Sequence, residues 1–262
     1  MSNSQPLTPT QKSFQLTDKV AIVTGASKGI GAAIVQGFAE LGAKVVVSSR
    51  KQEAVDAIAQ KLKEEGYEAL GIACHVGDEE QIQHLVQKTL AIYGRIDIIV
   101  NNAAINPSFG PISEANGALF DKIMGVNVKG PFELCKQAYP YLKDCGGSII
   151  NISSVEGLKP SFGLGLYSVS KAALIMLSQT LAKEWGKDGI RVNTICPGLI
   201  KTKFSAALWQ NEQILKQFTE HLPTGRMATP EEMVGMAVFL ASDAASYCTG
   251  GVYTADGGHM IM

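Results

Sequence analysis

The amino-acid sequence predicts one α/β domain, a doubly wound parallel sheet with helices packed on both of its faces. Three observations lead to that fold class. From Lys19 onward, short runs apolar on both faces alternate with helix-length segments, and strands of that kind belong to parallel sheets covered on both sides. No linker, composition shift or internal repeat interrupts the series. The chain of 262 residues is 46% hydrophobic and only 18% charged, which supplies a sizeable core and argues against disorder.

The elements follow in order. Residues 20–23 are a continuous β-type run ending in Thr24-Gly25, and 29–41 have helical spacing, stopped by Gly42. Residues 44–49 form the next run, and 52–65 a charged amphipathic helix stopped by Gly66. A weak strand over 69–73 precedes a helix over about 78–93. Strands over 96–100 and 148–152 end in Asn101-Asn102 and Ser153-Ser154. A long helix over 167–185 leads to a strand over 191–196. The helix over 230–241 opens on Pro230, a residue favoured at a first helical position, and 252–254 is a last short strand. The domain is expected to span 16–262. Residues 1–15 are polar and carry Pro6, Pro9 and Lys12. They lack the apolar core of a signal peptide, so they read as a flexible tail and the address as cytoplasmic.

Composition narrows the partners. Lys plus Arg is 23 against 24 Asp plus Glu, a net charge of −1, so no global basic field points to nucleic acid or an anionic membrane. No stretch has the roughly 18–20 apolar residues of a membrane-spanning helix. Cys74, Cys135, Cys145, Cys196 and Cys248 are scattered without a Cys-x-x-Cys pair. They read as buried thiols rather than a metal site or disulfides.

In doubly wound sheets ligands bind just beyond the carboxyl ends of the strands. After the first strand comes Gly25-Ala-Ser27-Lys28-Gly29-Ile30-Gly31. Glycines allow a sharp turn and close approach to a phosphate, and the helix amino end offers free N–H groups. The spacing is Gly-x-x-x-Gly-x-Gly; packing alone is the alternative reading. The second strand ends in Ser48-Ser49-Arg50-Lys51. A chain preferring NAD usually carries a carboxylate here for the ribose 2′-hydroxyl. Ser49 and Arg50, with Lys28 in the glycine loop, instead suit a 2′-phosphate, favouring NADP(H) over NAD(H). A solvated helix start is the alternative for Arg50 and Lys51.

Tyr167 and Lys171 stand four apart at the start of a helix and share a face. Tyr139 and Lys143 have the same spacing, but enclose Pro140 and have Val126 thirteen residues upstream. The first pair has Ser154 at that distance, directly after a strand. That difference decides between them.

With these motifs the chain resembles the short-chain dehydrogenase/reductase family, a Rossmann-type fold, from about Leu16 to Gly258. The glycine loop, Asn101-Asn102-Ala103-Ala104, Asn127, Ser154, Tyr167-x-x-x-Lys171 and Pro197-Gly198 stand in the family's order and spacing. The stretches Cys74-His75-Val76-Gly77 and Pro197-Gly198-Leu199-Ile200-Lys201-Thr202 are most similar to its NADP-dependent carbonyl and retinal reductase branch. The resemblance implies a catalytic set of Asn127, Ser154, Tyr167 and Lys171. Tyr167 would exchange a proton with the substrate oxygen, with its pKa lowered by Lys171. Ser154 would orient the carbonyl, Lys171 would also hold the nicotinamide ribose, and Asn127 would anchor a water relaying protons. The alternative for Asn127 is a helix-interior bonding role. The cofactor would rest on the glycine loop, Ser49, Arg50, His75, Val76 and Asn101, and its carboxamide on Pro197, Ile200 and Thr202. Many relatives have aspartate where His75 stands, to accept a bond from the adenine amino group, and glycine where Ala104 stands.

The expected reaction is hydride transfer between NADP(H) and a carbonyl or alcohol. Candidate lining residues Ile105, Phe109, Leu158, Phe162, Leu199, Phe204 and Trp209, with Glu156 the main charge, favour a hydrophobic ketone or aldehyde. Phe204, Leu208 and Trp209 are read as a lid, or alternatively as core. A β-ketoacyl carrier-protein reductase shares every motif and is the alternative; a nucleotide-sensing binding protein is a distant one. The run Ala172-Ala-Leu-Ile-Met-Leu177 is apolar around its whole circumference, which predicts a helix–helix interface and a homotetramer, with a dimer as fallback.

Overall fold

The computed structural model describes residues 6–262. Its strands are β1 (Val20–Thr24), β2 (Lys44–Ser49), β3 (Ala69–Ala73), β4 (Ile98–Asn101), β5 (Ser148–Ile152), β6 (Arg191–Pro197) and β7 (Val252–Ala255). They form one seven-stranded sheet in the order β3-β2-β1-β4-β5-β6-β7. Every neighbouring pair is parallel. The helices are α1 (Pro9–Ser13), α2 (Gly29–Glu40), α3 (Gln52–Glu64), α4 (Glu79–Tyr93), α5 (Gly117–Met124), α6 (Gly130–Cys145), α7 (Gly165–Trp185), α8 (Ala206–Trp209), α9 (Glu212–Glu220) and α10 (Val234–Ala241).

The strands lack polar alternation because each feeds two cores. Ala21, Val23, Val45 and Val47 face Ile34 and Phe38 of α2, Val55 and Leu62 of α3, and Ala237 and Leu240 of α10. Their neighbours Ile22 and Val46 face Ile82 and Leu85 of α4, Leu134 and Leu142 of α6, and Leu181 of α7. A period of two between two apolar layers leaves no solvent face for a polar residue. β7, at the sheet's edge, is only partly buried.

Residues 103–147 carry elements the sequence pattern did not announce. α5 runs through a π-helical turn, Gly125–Lys129, into α6, which contains Pro140. In the decoy pair there, the Tyr139 hydroxyl donates to Asp188 Oδ2 at 2.7 Å and Lys143 pairs with the same carboxylate at 3.3 Å. Two boundaries also shift: α7 starts at Gly165, and the segment opening on Pro230 begins as a 3₁₀ turn, Pro230–Met233. In the expected tail, residues 1–5 lie outside the described residues. Pro9–Ser13 form a helical turn with a Thr8–Gln11 capping box, and Phe14 meets Phe239 at 6.4 Å between ring centroids.

The five cysteines are unpaired. Burial pushes the Cys74 and Cys135 thiols up to about 12 and Cys196 to about 11, which keeps them protonated near neutral pH. Among the described residues, no helix is long and apolar enough to cross a membrane.

Candidate active site

The chain leaves β1 through β2 and β3 and returns to β4 on the other side of β1. The connections after β1 and β4 therefore diverge and open a crevice at the strands' carboxyl ends. Thr24, the buried end of β1, fixes its floor. Its Oγ1 accepts the N–H groups of Asn102 and Ala103, both at 3.1 Å. Asn102 Nδ2 donates to the carbonyls of Thr24 at 2.9 Å and Gly25 at 3.2 Å.

The structure thus places the Asn102 side chain, rather than that of Asn101, on the glycine loop. The Asn101 side chain points into the core, donating to Asn151 Oδ1 at 2.8 Å and to Cys135 Sγ at 3.3 Å. Asn101 and Asn151 are register partners on β4 and β5. Successive side chains turn to opposite faces near a strand end, so Asn101 cannot also reach the loop.

Packing accounts for two of the loop's glycines. A Cβ on Gly25 or Gly31 would lie 2.8 or 2.6 Å from Asn102 Nδ2, so these two are demanded by packing. Gly29 has φ +58° and faces Thr202 across the crevice, where a Cβ would meet Cγ2 at 3.3 Å. Lys28 is the N-cap of α2 and makes no side-chain cap bond, so the first-turn N–H groups lack a side-chain acceptor. Ile30 packs on the core. Ser27 Oγ donates to Ser49 Oγ at 3.1 Å, joining the loop to the end of β2. Lys28 and Arg50 are exposed, and neither belongs to an ion pair among the described residues.

At the end of β3, His75 folds back on its own turn. Its Nδ1 accepts the Gly77 N–H at 3.0 Å, and its own N–H donates to Gln81 Oε1 at 2.9 Å. Val76 is buried against Gly130, where a Cβ would lie 2.2 Å from the Val76 carbonyl oxygen. Across the crevice, Ile200 bridges to Ala228. The Thr202 hydroxyl meets Ser205 Oγ at 3.3 Å.

Ser154, Tyr167 and Lys171 converge beyond β5. The Ser154 hydroxyl oxygen accepts the Glu156 N–H at 3.1 Å. Lys171, only 2% exposed, donates from Nζ to the Ile152 carbonyl at 2.7 Å, and Ser153 Oγ donates to the Lys171 carbonyl at 2.9 Å. The ammonium stands 5.6 Å from the Tyr167 ring centroid. Burial pulls Lys171 down to about 8 and pushes the Tyr167 phenol well above its ordinary value, against a lowering hydrogen bond from Ser154. Within the chain's own groups, burial is the largest influence on the phenol.

Asn127 lies in the π-helical turn, a backbone irregularity common at functional sites. Its Oδ1 accepts the Ile105 N–H at 2.8 Å, and its Nδ2 donates to the Ile105 carbonyl at 2.9 Å and to Ser170 Oγ at 3.0 Å. Both amide hydrogens are thereby used, one on the Ile105 carbonyl and one on Ser170 of α7.

Above Tyr167 the surface is apolar. Phe109, Phe162 and Phe204 are 71%, 79% and 55% exposed. Phe204 stacks obliquely on Tyr167 at 5.8 Å. A cavity of about 140 Å³ opens beside Tyr167, lined by Asn106, Phe109, Ile112, Leu119 and Leu166 among others. Leu199 does not belong to this lining in the open: it is buried. Trp209 on α8 donates from Nε1 to the Thr202 carbonyl at 2.9 Å, tying the expected lid to the turn that follows β6.

Residues 25–260 match the family model described as enoyl-(acyl carrier protein) reductase. The chain is 43% identical over 244 residues to "Dehydrogenase/reductase SDR family member 4" of Oryctolagus cuniculus, covering 93% of this chain and 94% of that protein. The chain belongs to the short-chain dehydrogenase/reductase family. It is also similar to "Dehydrogenase/reductase SDR family member 2, mitochondrial" of Homo sapiens, at 43% identity over 90% of this chain and 84% of that one. A gluconate 5-dehydrogenase from Burkholderia cenocepacia J2315, solved in complex with NADP and tartrate, superposes with a TM-score of 0.92. It is 30% identical, over 95% of this chain and 98% of that one.

As a short-chain dehydrogenase/reductase the protein is an oxidoreductase that works with a nicotinamide cofactor. The crevice fits such a group. The side-chain-uncapped start of α2, the positive-φ Gly29 and the exposed cations Lys28 and Arg50 all face the same end of the sheet. Sequence reasoning did not assign Asn102, which holds the glycine loop, or Ser153 and Ser170, whose hydroxyls donate to the Lys171 and Tyr167 carbonyls. Strand alternation was the available signal for Asn102; the other two left none.

Proposed function

We propose that the protein is an NADP(H)-dependent carbonyl reductase for hydrophobic ketones or aldehydes, with Ser154, Tyr167 and Lys171 as its reacting set. The observation that carries this reading is the convergence of those three side chains beneath an exposed apolar mouth. Ser154 accepts a hydrogen bond from the Glu156 N–H, which leaves its O–H to orient the substrate oxygen. Tyr167, held as a phenol by burial, donates the proton to that oxygen. When bound, the nicotinamide supplies the hydride. Lys171 would hold the ribose. Pro197, Ile200 and Thr202 form the turn for the carboxamide, and the α2 start, Ser27, Lys28, Ser49 and Arg50 the phosphate end. His75 and Val76 flank the adenine side. A water relay through Asn127 would use its backbone, since its amide hydrogens are already taken.

Phe109, Phe162, Phe204 and Leu158 favour an apolar substrate over a sugar acid. NADPH consumption should be fastest with aromatic or medium-chain ketones and aldehydes. The panel should include gluconate's keto form and a carrier-linked β-ketoacyl substrate. Faster turnover of either than of any hydrophobic carbonyl would refute the substrate assignment.

The assembly we propose is a cytoplasmic homotetramer. Exposed apolar side chains support it: Val169 and Met176 on α7, Phe132 on α6, and Tyr247 and Ile261 towards the other end of the chain. Two surfaces that each meet their own copy about a twofold axis build a dimer of dimers rather than a single pair. The unpaired thiols suit a reducing compartment. Light scattering at micromolar concentration should give four times the chain mass; a monomer would contradict the proposal.

A further inference from the structure

We propose that Glu156 is a positioning residue, one that locks the Ser154 hydroxyl, the Tyr167 end of α7 and the substrate-mouth segment 157–164 into a single unit. This rests on the assignment of Ser154 and Tyr167 given above. Glu156 lies two residues past Ser154 in the 3₁₀ turn Val155–Gly157. Its backbone N–H donates to Ser154 Oγ at 3.1 Å, filling one acceptor position and so directing the hydroxyl proton elsewhere.

The side chain works on two other segments at once. Its carboxylate accepts three hydrogen bonds: from the Ser161 N–H at 2.8 Å, the Ser161 hydroxyl at 2.7 Å and the Ser168 hydroxyl at 3.1 Å. Ser168 is buried in α7 directly after Tyr167, and Ser161 directly precedes the exposed Phe162. The stitch continues across the mouth, where the Gly110 N–H donates to the Gly163 carbonyl at 3.1 Å. The Phe109 ring covers Gly163 so closely that a Cβ there would lie 2.6 Å from its Cζ. One carboxylate therefore determines where the mouth sits relative to the proton donor.

Glu156 has no basic partner among the described ion pairs, so no cation cancels its charge. The groups that face the Tyr167 ring or hydroxyl are Ser154 and Glu156 from the turn after β5, Cys196 from β6, Lys171 from α7 and Phe204 from the segment after β6. Glu156 is the carboxylate of this set, and it adds to the upward push that burial gives the phenol. A raised phenol stays a proton donor, which suits carbonyl reduction, and is a poor base for alcohol oxidation.

Glu156→Gln keeps the shape and an acceptor but removes the charge; Glu156→Ala removes both. With acetophenone and its alcohol as probes, E156Q should move the rising limb of the oxidation profile to lower pH. At a fixed pH on that limb, kcat/KM for oxidation should rise about threefold or more, with KM close to wild type. E156A should raise KM for acetophenone by about tenfold and speed hydrogen exchange at the Ser161 amide, whereas E156Q should leave that amide protected. An E156Q profile that coincides with wild type, or a Ser161 amide equally protected in E156A, would overturn the inference. The amide exchange reads the clamp independently of turnover. Failure of the reductase reading would appear instead as a Tyr167→Phe variant that keeps its activity in the same assays.

Discussion

Tyr167→Phe should lower turnover by about 10²–10⁴-fold, the usual contribution of a positioned general acid, while nucleotide affinity stays close to wild type. The ring contributes packing that phenylalanine reproduces: Phe204 sits 5.8 Å from it, centroid to centroid, and the Lys171 ammonium 5.6 Å from its centroid. Lys171 keeps its bond to the Ile152 carbonyl whether or not the hydroxyl is present. What disappears is the one O–H that α7 presents beside Ser154 at the mouth. Single-turnover reduction of acetophenone, paired with fluorescence titration of NADPH, separates the two effects. Residual turnover within about tenfold of wild type would remove Tyr167 from the mechanism. Loss of nucleotide affinity in parallel would mean that the hydroxyl shapes the crevice rather than the chemistry.

The direction of the phenol's shift bears on how this loss should vary with pH. Burial holds Tyr167 protonated through the neutral range, so reduction needs no titration of Tyr167 there. Lys171 titrates lower, at about 8. Its ammonium is present below that pH and is lost as pH rises through it, so contacts that need the charge weaken on the alkaline side.

The sheet was readable because its chemistry is periodic. β1, β4 and β5 are buried at every position, and in an α/β series a short, uninterrupted apolar run bounded by turn residues is a strand covered on both faces. The proposed trio was readable because it pairs a helical spacing with a strand end. Where the pattern failed, identifiable residues blurred it. Gly117, Gly125 and Gly130 break the helical signal of α5 and α6, and Pro140 sits inside α6. Neighbouring packing overrides those preferences: Leu134, Cys135, Ala138 and Leu142 are fully buried against the sheet. The division of labour between Asn101 and Asn102 was hidden for another reason. The motif names two asparagines, and only the geometry shows that the first bonds Asn151 while the second holds the glycine loop. Glu156 gave no sequence signal beyond its charge, because its three partners come from Ser161 and Ser168, residues that look like loop and helix surface.

NADPH should exceed NADH in specificity constant by at least about tenfold, and Ser49→Asp with Arg50→Ala should reverse the order. The two coenzymes differ by one 2′-phosphate, so the preference must arise from groups that meet it. At the end of β2 the structure provides Ser49, linked to Ser27 of the glycine loop at 3.1 Å, and the exposed cations Arg50 and Lys28. None of these cations is already neutralised by a carboxylate among the described ion pairs, so forming a phosphate contact breaks no existing pair. One charge-assisted contact corresponds to roughly a ten- to hundredfold preference. Exposure reduces this, which is why the expected value is set at the lower end and why it should shrink as ionic strength rises. The double substitution works through both signs of charge. Aspartate at 49 repels a phosphate but accepts hydrogen bonds from a bare ribose, and alanine at 50 removes the forked donor. Steady-state kinetics with both coenzymes at two salt concentrations measures all of this at once. Equal specificity constants in the wild type would overturn the NADP assignment and leave the carbonyl chemistry at Tyr167 untouched. A preference that is strong but indifferent to salt would place the phosphate on buried groups rather than on Lys28 and Arg50.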